Sequence, residues 1–360
     1  MATGTQGLMT LRGALGASEG AATTPTRYLY PGVPGNVDLS GIQQFENIED
    51  RVAWAKREPM RSVYAGIESN QIVLSNVPAS FEDAGFYMAT IVGVTSGSTG
   101  LGGNTPTTVD TSAYSRAFQS SQTVTTVGST GGYDLALQVG TTDLISTVGW
   151  SIPGLRCTDY SISFTKRGTG TDTGVTFGGT WVTPKSATQI TSFTGSLSDR
   201  TQTLAVGQNN YAYVDSSSGS LGSTADTNII RAMFQLTQNP AFHDGFDGTA
   251  LPTSMHFPEQ WTSMLTITRK FSDTTELAAW LARTTRAVRI ENVGALVGGA
   301  TAKNTIRVDF VGKPTSHVHT WEANGILYAN IGLQGIYDST LGASWKLFTQ
   351  NSISAAYTSA

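Results

Sequence analysis

The sequence predicts a mainly β fold, in which a mostly antiparallel sheet forms a sandwich or barrel with a helix packed on it. Two observations indicate this class. First, charged residues make up only 13% of the 360 residues, about half the usual share, and 40 residues are Gly. This composition is poor in helix formers and favours turns and strands. Second, apolar and polar residues alternate along several segments, which is the pattern of half-buried strands.

Alternation is clearest in three segments. Tyr160, Ile162 and Phe164 are separated by polar residues, so one face of a strand is apolar and the other is polar. Residues 305–310 repeat the pattern with Ile, Val and Phe on one face, and residues 327–333 repeat it again. All three segments are predicted strands.

The strongest helix signal covers residues 273–285. Asp273 stands where a helix cap is needed, and Glu276 follows three residues later, which is the spacing of a capping box. Leu277 and Trp280 lie on one face of this helix. We therefore expect a short amphipathic helix against the sheet.

Other segments are less regular. Residues 47–58 have helical character, whereas residues 81–94 fit either a short helix or a strand. Residues 1–35 are predicted to form a flexible N-terminal arm, and residues 95–113 a long loop. The Ser- and Gly-rich segment 216–225 is the best candidate for a domain boundary.

Charge and cysteine content argue against several classes of protein. The net charge is −4 and the isoelectric point is about 5.6, which argues against a basic surface that grips nucleic acid, although DNA can slide past a neutral one. The single cysteine, Cys157, excludes an intramolecular disulfide and is predicted to be a small buried residue. No apolar stretch is long enough to span a membrane, and the first residues do not have the pattern of a signal peptide.

No pattern of residues indicates a catalytic site. His317 and His319 lie two apart and would share one face of a strand, but no third ligand completes a metal set, so they are interpreted as surface histidines. Gly-rich segments lack the spacing of phosphate-binding loops. Trp280, Phe310 and Trp345 are interpreted as core or interface aromatics. The sequence therefore predicts no enzyme, no metal site and no cofactor.

Four segments near the C-terminus carry a resemblance to a known family. They are a strand leading into a helix, a short strand, an alternating strand and a closing strand, at residues 271–277, 288–290, 305–310 and 342–351. They resemble the tail tube, or major tail, proteins of bacteriophages with long non-contractile tails (siphovirus type). Earlier segments around Cys157 and Trp181 extend the resemblance over residues 60–351 and are similar to a long, two-domain version of that family.

The resemblance implies two tandem tail-tube-like β-sandwich or barrel domains, each with a short flanking helix and long Gly-, Ser- and Thr-rich loops. Their expected ranges are residues 36–215 and 216–360, and the second domain carries the helix near residues 273–285 and a C-terminal arm. Rings of three such chains, which are pseudo-hexameric, or of six chains would stack into a hollow tube in the virion.

The partners that the resemblance implies follow from this assembly. A tape-measure protein would lie inside the tube, and tail terminator and tail tip proteins would lie at its ends. Double-stranded DNA would pass through transiently during genome ejection, without sequence-specific binding. The chain would be made in the host cytoplasm and would not insert into a membrane.

Three residues are candidates for lining the lumen of such a tube. Glu291, Arg307 and Asp309 occupy or flank the polar face of the late strands. A lumen that is neutral or mildly acidic would not hold DNA phosphates, so DNA could slide.

Two other functions stay open at this point. A capsid or decoration protein of a phage particle shares this composition but forms shells or trimers instead of tubes. A secreted carbohydrate-binding β protein would bind glycans through a platform of tryptophans and would normally need an export signal.

Overall fold

A computed structural model describes the greater part of the chain. The described residues are 8–16, 25, 27–29, 37–39, 45–50, 61–67, 70–91, 106–119, 134–142, 147–166, 174–193, 202–243, 254–256, 261–272, 274–297, 299, 301–321 and 325–354. Most of them lie in antiparallel strands, which confirms the predicted mainly β fold.

The strands are numbered in chain order. The first ten are β1 (Leu8–Gly16), β2 (Arg27–Leu29), β3 (Val37–Asp38), β4 (Phe45–Asp50), β5 (Arg61–Ile67), β6 (Asn70–Pro78), β7 (Thr107–Asp110), β8 (Ala113–Gln119), β9 (Asp134–Thr142) and β10 (Thr147–Thr165). The others are β11 (Val175–Thr183), β12 (Thr188–Ile190), β13 (Asn210–Asp215), β14 (Ile229–Thr237), β15 (Ala241–His243), β16 (Ser254–His256), β17 (Thr262–Lys270), β18 (Arg286–Leu296), β19 (Lys303–Trp321), β20 (Leu327–Gly335) and β21 (Trp345–Asn351). Two α-helices are described, α1 (Phe81–Ala89) and α2 (Thr275–Leu281).

One large antiparallel sheet, which curls into a barrel-like body, contains every strand except the short pairs β4–β5 and β15–β16. Its front section runs β13–β18–β19–β21–β8–β7 and uses the first half of β19. Its back section runs β3–β6–β11–β10–β14–β17–β20–β19 and uses the second halves of β10 and β19. Its side section runs β2–β1–β9–β10–β12 and uses the first half of β10.

The front and back sections pack face to face around one hydrophobic core. The ring centroid of Phe234 in the back section lies 5.9 Å from that of Phe310 and 6.0 Å from that of Trp345, both in the front section. The core cluster contains residues from both predicted domains. Strands from either side of residue 216 also pair directly, β10 with β14 and β8 with β21. Within the described ranges, the predicted boundary does not separate two independently packed cores.

Helix α1 is enclosed by the core and does not flank it as predicted. All nine residues of Phe81–Ala89 are buried. Ser80 caps the helix by accepting a hydrogen bond from the Asp83 N–H at 3.0 Å. In the first turn, the Glu82 carboxylate accepts a hydrogen bond from the Thr203 N–H, and the Asp83 carboxylate accepts one from the Gln202 side chain. Both buried carboxylates are therefore hydrogen-bonded. The choice between helix and strand that the sequence leaves open is therefore settled as a helix.

Helix α2 forms where the sequence predicts a helix, but it is shorter. It covers Thr275–Leu281, and Thr274 occupies the N-cap position without a side-chain cap bond. The predicted cap, Asp273, lies outside the described residues. Because the helix begins one residue later than predicted, Glu276 is too close to its start for a capping box. The Glu276 carboxylate instead accepts a hydrogen bond from Arg286 at 3.2 Å.

The Ser- and Gly-rich segment after β13, which the sequence marks as the candidate domain boundary, is a compact turn. The Asp215 carboxylate accepts hydrogen bonds from the backbone N–H groups of residues 222–224, at distances between 2.8 and 3.3 Å. Ser218 Oγ donates to Asp338 Oδ1 at 2.6 Å and ties this turn to the one before β21. Polar side chains such as Asp215 thus provide hydrogen-bond acceptors for the backbone N–H groups of a tight turn.

Two expectations for the N-terminal part are also corrected. Residues 45–50 form strand β4, paired with β5, where the sequence predicts a helix over 47–58, and residues 51–60 lie outside the described part. Within the predicted flexible arm, β1 pairs with β9 and β2 pairs with β1. Both corrections have the same cause, since pairing with another strand overrides the local pattern.

Gly312 stands where β19 passes from the front section to the back section. A Cβ atom at this position would lie 2.6 Å from the backbone oxygen of Gln334 and 2.5 Å from the Phe310 ring. We expect Gly312→Ala to lower the free energy of unfolding by about 2 kcal/mol, because the backbone of β20 must move to make room. Equilibrium denaturation measures this change.

Gly219→Ala is the matched control, since a Cβ atom there meets open space. We expect it to change the free energy of unfolding by less than about 0.5 kcal/mol. Equal stabilities of the two variants would contradict the close contact at Gly312.

Candidate functional site

A cluster of charged side chains lies on the outer surface of the front section. On β19, Asp309 lies opposite Arg289 of β18, and Arg307 lies opposite Glu291 of β18. On the other neighbour of β18, strand β13, Tyr213 lies opposite Arg289. Residues between these positions belong to the core, so the alternation of strands directs all five side chains outward. The structure therefore brings the three predicted lumen candidates together and adds Arg289 and Tyr213 to them.

Asp309 is the centre of this cluster. It is only 3% exposed. Its Oδ1 and Oδ2 atoms accept hydrogen bonds from Arg289 at 2.7 Å and 3.1 Å, which makes the pair bidentate. The Nε atom of Arg307 lies 3.3 Å from Asp309 Oδ2. Two guanidinium groups thus compensate one buried carboxylate, which would otherwise be costly to remove from water.

Glu291 and Tyr213 extend the cluster. The Tyr213 hydroxyl is hydrogen-bonded to Glu291. The pKa of Tyr213 is raised, mainly by burial and secondly by the negative charge of Glu291. Burial lowers the pKa of Arg307, with Asp309 acting in the opposite direction. Burial also lowers the pKa of Arg289, but the hydrogen bonds to Asp309 and its negative charge outweigh burial, so the pKa of Arg289 is raised. At neutral pH Tyr213 is therefore neutral and both guanidinium groups are charged.

Most of the charge in this cluster is compensated by a neighbour of opposite sign. The carboxylates of Glu291 and Asp309 face two guanidinium groups, and Lys346 stands opposite Asp309 on β21. The guanidinium carbon of Arg307 lies 4.4 Å from the centroid of the Phe348 ring, a cation–π contact that covers one face of it. Two carboxylates against three cationic side chains leave one net positive charge, and most of the charge on this face is compensated within it.

Sequence reasoning misses two members of this cluster. Arg289 has a local signal, because it lies two residues before Glu291 in an alternating segment and must share its face. Tyr213 has no such signal, since it joins the cluster only through the pairing of β13 with β18.

The predicted aromatic residues and the cysteine take different environments. Phe310 and Trp345 are buried in the core. Trp280 is half-buried on α2, with its ring centroid 6.0 Å from that of His317. Cys157 is buried, and burial raises the pKa of its thiol, so the thiolate that reacts with electrophiles is disfavoured.

His317 and His319 lie on one side of the second half of β19. Their ring centroids are 4.8 Å apart, as their spacing of two on a strand predicts. In the described part of the chain, no group of three or more His, Cys, Asp or Glu side chains is placed to hold a metal ion. Two imidazoles alone fall short of the three or four protein ligands of a zinc site.

We expect Asp309→Asn to lower the free energy of unfolding by about 2 kcal/mol, because it leaves two partly buried guanidinium groups without their shared anion. Glu291→Gln is the matched control on the same face. It removes a more exposed carboxylate and is expected to cost less than about 1 kcal/mol. Thermal and chemical denaturation distinguish the two. A loss in Glu291→Gln as large as in Asp309→Asn would show that Asp309 is not the centre of the cluster.

No family model matches this sequence, and no curated protein is significantly similar to it. Among the described residues, neither helix has the length and apolar character needed to cross a membrane. Function is therefore inferred from the faces and edges of the sheet, together with the resemblance of the C-terminal segments.

Proposed function

We propose that this chain is a structural virion protein that polymerises as stacked rings into the hollow tail tube of a bacteriophage. Double-stranded DNA passes through that tube into the host during genome ejection. The mainly β fold is compatible with this function. The observation that carries the proposal is an open strand edge in the back section, formed by the second half of β19.

This edge follows from the register of β19. Gly312 pairs both with Arg286 of β18 and with Gly335 of β20, so β18 and β20 lie on opposite edges of β19. Strand β18 begins at Arg286, whereas β20 continues along residues 313–321. No strand in the described ranges pairs with the other edge of residues 313–321.

The unpaired edge carries two exposed apolar side chains. Val318 is 56% exposed and Trp321 is 70% exposed. A long edge strand with exposed apolar side chains is a template for pairing with another chain, and monomeric proteins avoid it. Pairing with a neighbouring subunit satisfies the edge and extends the sheet around a ring, which is what a tube requires.

The outer face of the back section supports large contacts between subunits. It consists mainly of hydroxyl, amide and glycine residues, such as Ser161, Ser163, Thr266 and Thr268. The charged residues of this face in the described strands are Asp38, Arg156, Asp159, Arg231, Lys270 and Lys313. Depletion of charge is characteristic of the centre of protein interfaces.

The charge cluster around Glu291, Arg307 and Asp309 is proposed to face the lumen. Its paired charges would give DNA phosphates no strong attraction, so that the strand slides without being held. We also propose rings of three chains, or of six, which enclose a tape-measure protein and end at tail terminator and tail tip proteins.

Expression of the chain alone, followed by negative-stain electron microscopy over a concentration series, tests the proposed function. Hollow tubes with a regular axial repeat are the expected result, and end-on views give the number of chains per ring. Closed shells would support a capsid or decoration protein. A stable small oligomer with affinity for glycans would support a carbohydrate-binding protein.

Val318→Lys is expected to prevent or strongly shorten these tubes, because a charge on the open edge opposes strand pairing. Leu281→Lys is the matched control, since Leu281 is 68% exposed on helix α2 and lies outside the strand edge. Tube lengths measured by electron microscopy compare the two variants. If Val318→Lys assembles as well as Leu281→Lys, the open edge is not the contact between subunits.

Glu291→Lys is expected to slow DNA passage while leaving tube length unchanged, because it adds positive charge to the proposed lumen face. Asp309→Lys is a poor substitute, since the Asp309 side chain is buried against two guanidinium groups. The rate of genome ejection from particles carrying Glu291→Lys, measured by release of a DNA-binding dye, is the readout. An unchanged rate would place the cluster away from the DNA path.

A further inference from the structure

Four rings form a continuous row between α2, the second half of β19 and the segment after β17. The centroid distances are 4.7 Å from Phe271 to His319, 4.8 Å from His319 to His317, and 6.0 Å from His317 to Trp280. The two central rings are imidazoles, which are the side chains that change charge between pH 5 and 8. The row therefore places a titratable pair in the contact between a helix and a strand.

Helix α2 lies at the surface of the body. Of its seven residues only Ala279 is buried, and Leu281 projects into solvent. The Trp280 ring packs against His317 on β19, and Glu276 forms an ion pair with Arg286 on β18 at 3.2 Å. A helix of this length has little stability of its own, so its position depends on these contacts.

A proton on His317 would enter an unfavourable environment. Its Nε2 atom is enclosed and has no hydrogen-bond partner. Burial, and next the neighbouring His319, lower the pKa of His317, while Glu276 acts in the opposite direction. The Glu276 carboxylate is already paired with Arg286, and Arg269 on β17, itself paired with Asp226 at 3.3 Å, adds a further positive charge nearby. The facing residues of β20 are the neutral Ile331 and Ala329.

We propose that the His317–His319 pair makes the docking of helix α2 sensitive to acid. At neutral pH the His317 ring is uncharged and α2 packs on β19. At mildly acidic pH the undocked state binds protons more readily than the docked state, so acid favours release of α2. This device does not rest on the proposed function, because its contacts lie within one chain, although the same half of β19 carries the proposed subunit contact.

Hydrogen exchange and histidine NMR on the full chain test the proposal. The chain has four histidines, so the ¹H–¹³C signals of its imidazoles can be assigned with single variants. Exchange of the backbone amides of residues 275–285, corrected for the intrinsic effect of pH, is followed from pH 7.5 to 5.0. We expect a several-fold loss of protection in this segment that follows the titration of His317, while the core strand β14 stays protected.

A double variant, His317→Phe with His319→Phe, keeps the row of rings but removes the titratable groups. It should retain protection of residues 275–285 across the same pH range. His243→Phe, which removes an exposed histidine on β15, is the matched control and should behave as the wild type. If the double variant does not fold, His319→Phe alone should shift the transition to lower pH. Equal loss of protection in the wild type and the double variant, an unshifted transition in His319→Phe, or no loss in the wild type would overturn the proposal.

Discussion

Two strands of 19 residues, β10 and β19, each belong to two sections of the sheet, and the rest of the fold depends on this sharing. Strand β10 pairs with β9 along its first half and with β14 along its second. Strand β19 pairs with β18 and β21 and then with β20. Because a single strand must satisfy two sets of partners, its register fixes the relative position of the sections. The charge cluster and the histidine pair are both placed by β19.

The shared strands leave a space that helix α1 fills. The side section and the back section both contribute to the core around it, and Gly13 of β1 approaches the Phe86 ring so closely that a Cβ atom would lie 3.0 Å from it. The Trp181 indole N–H donates to Thr90 Oγ1 at 3.0 Å just after the helix ends. A helix buried on every side needs such polar groups at its ends, since water cannot reach them.

The local sequence pattern predicts many of the strands, because the alternation of apolar and polar residues depends only on the burial of one face of the strand. The segments around Tyr160, Ile306 and Ile331 are strands as their spacing indicates. Helix α1 was ambiguous for a physical reason, since a helix that is buried all round has no polar stripe to reveal its period. The turn after β13 and the strand at residues 45–50 depend on Asp215 and on β5, which are contacts that composition cannot supply. The candidate site shows the same division, with Arg289 readable from its neighbour and Tyr213 placed only by tertiary pairing.

The sharing of β19 has a mechanical consequence. Its ladder hydrogen bonds run across the strand, so a force along its length loads the bonds to β18, β20 and β21 in parallel instead of opening them one at a time. A pull on one section is therefore transmitted to the other through a covalent backbone instead of through side-chain packing alone. The body should resist stretching along β19 much more strongly than peeling at the ends of β7 or β12, where short strands are held on one edge.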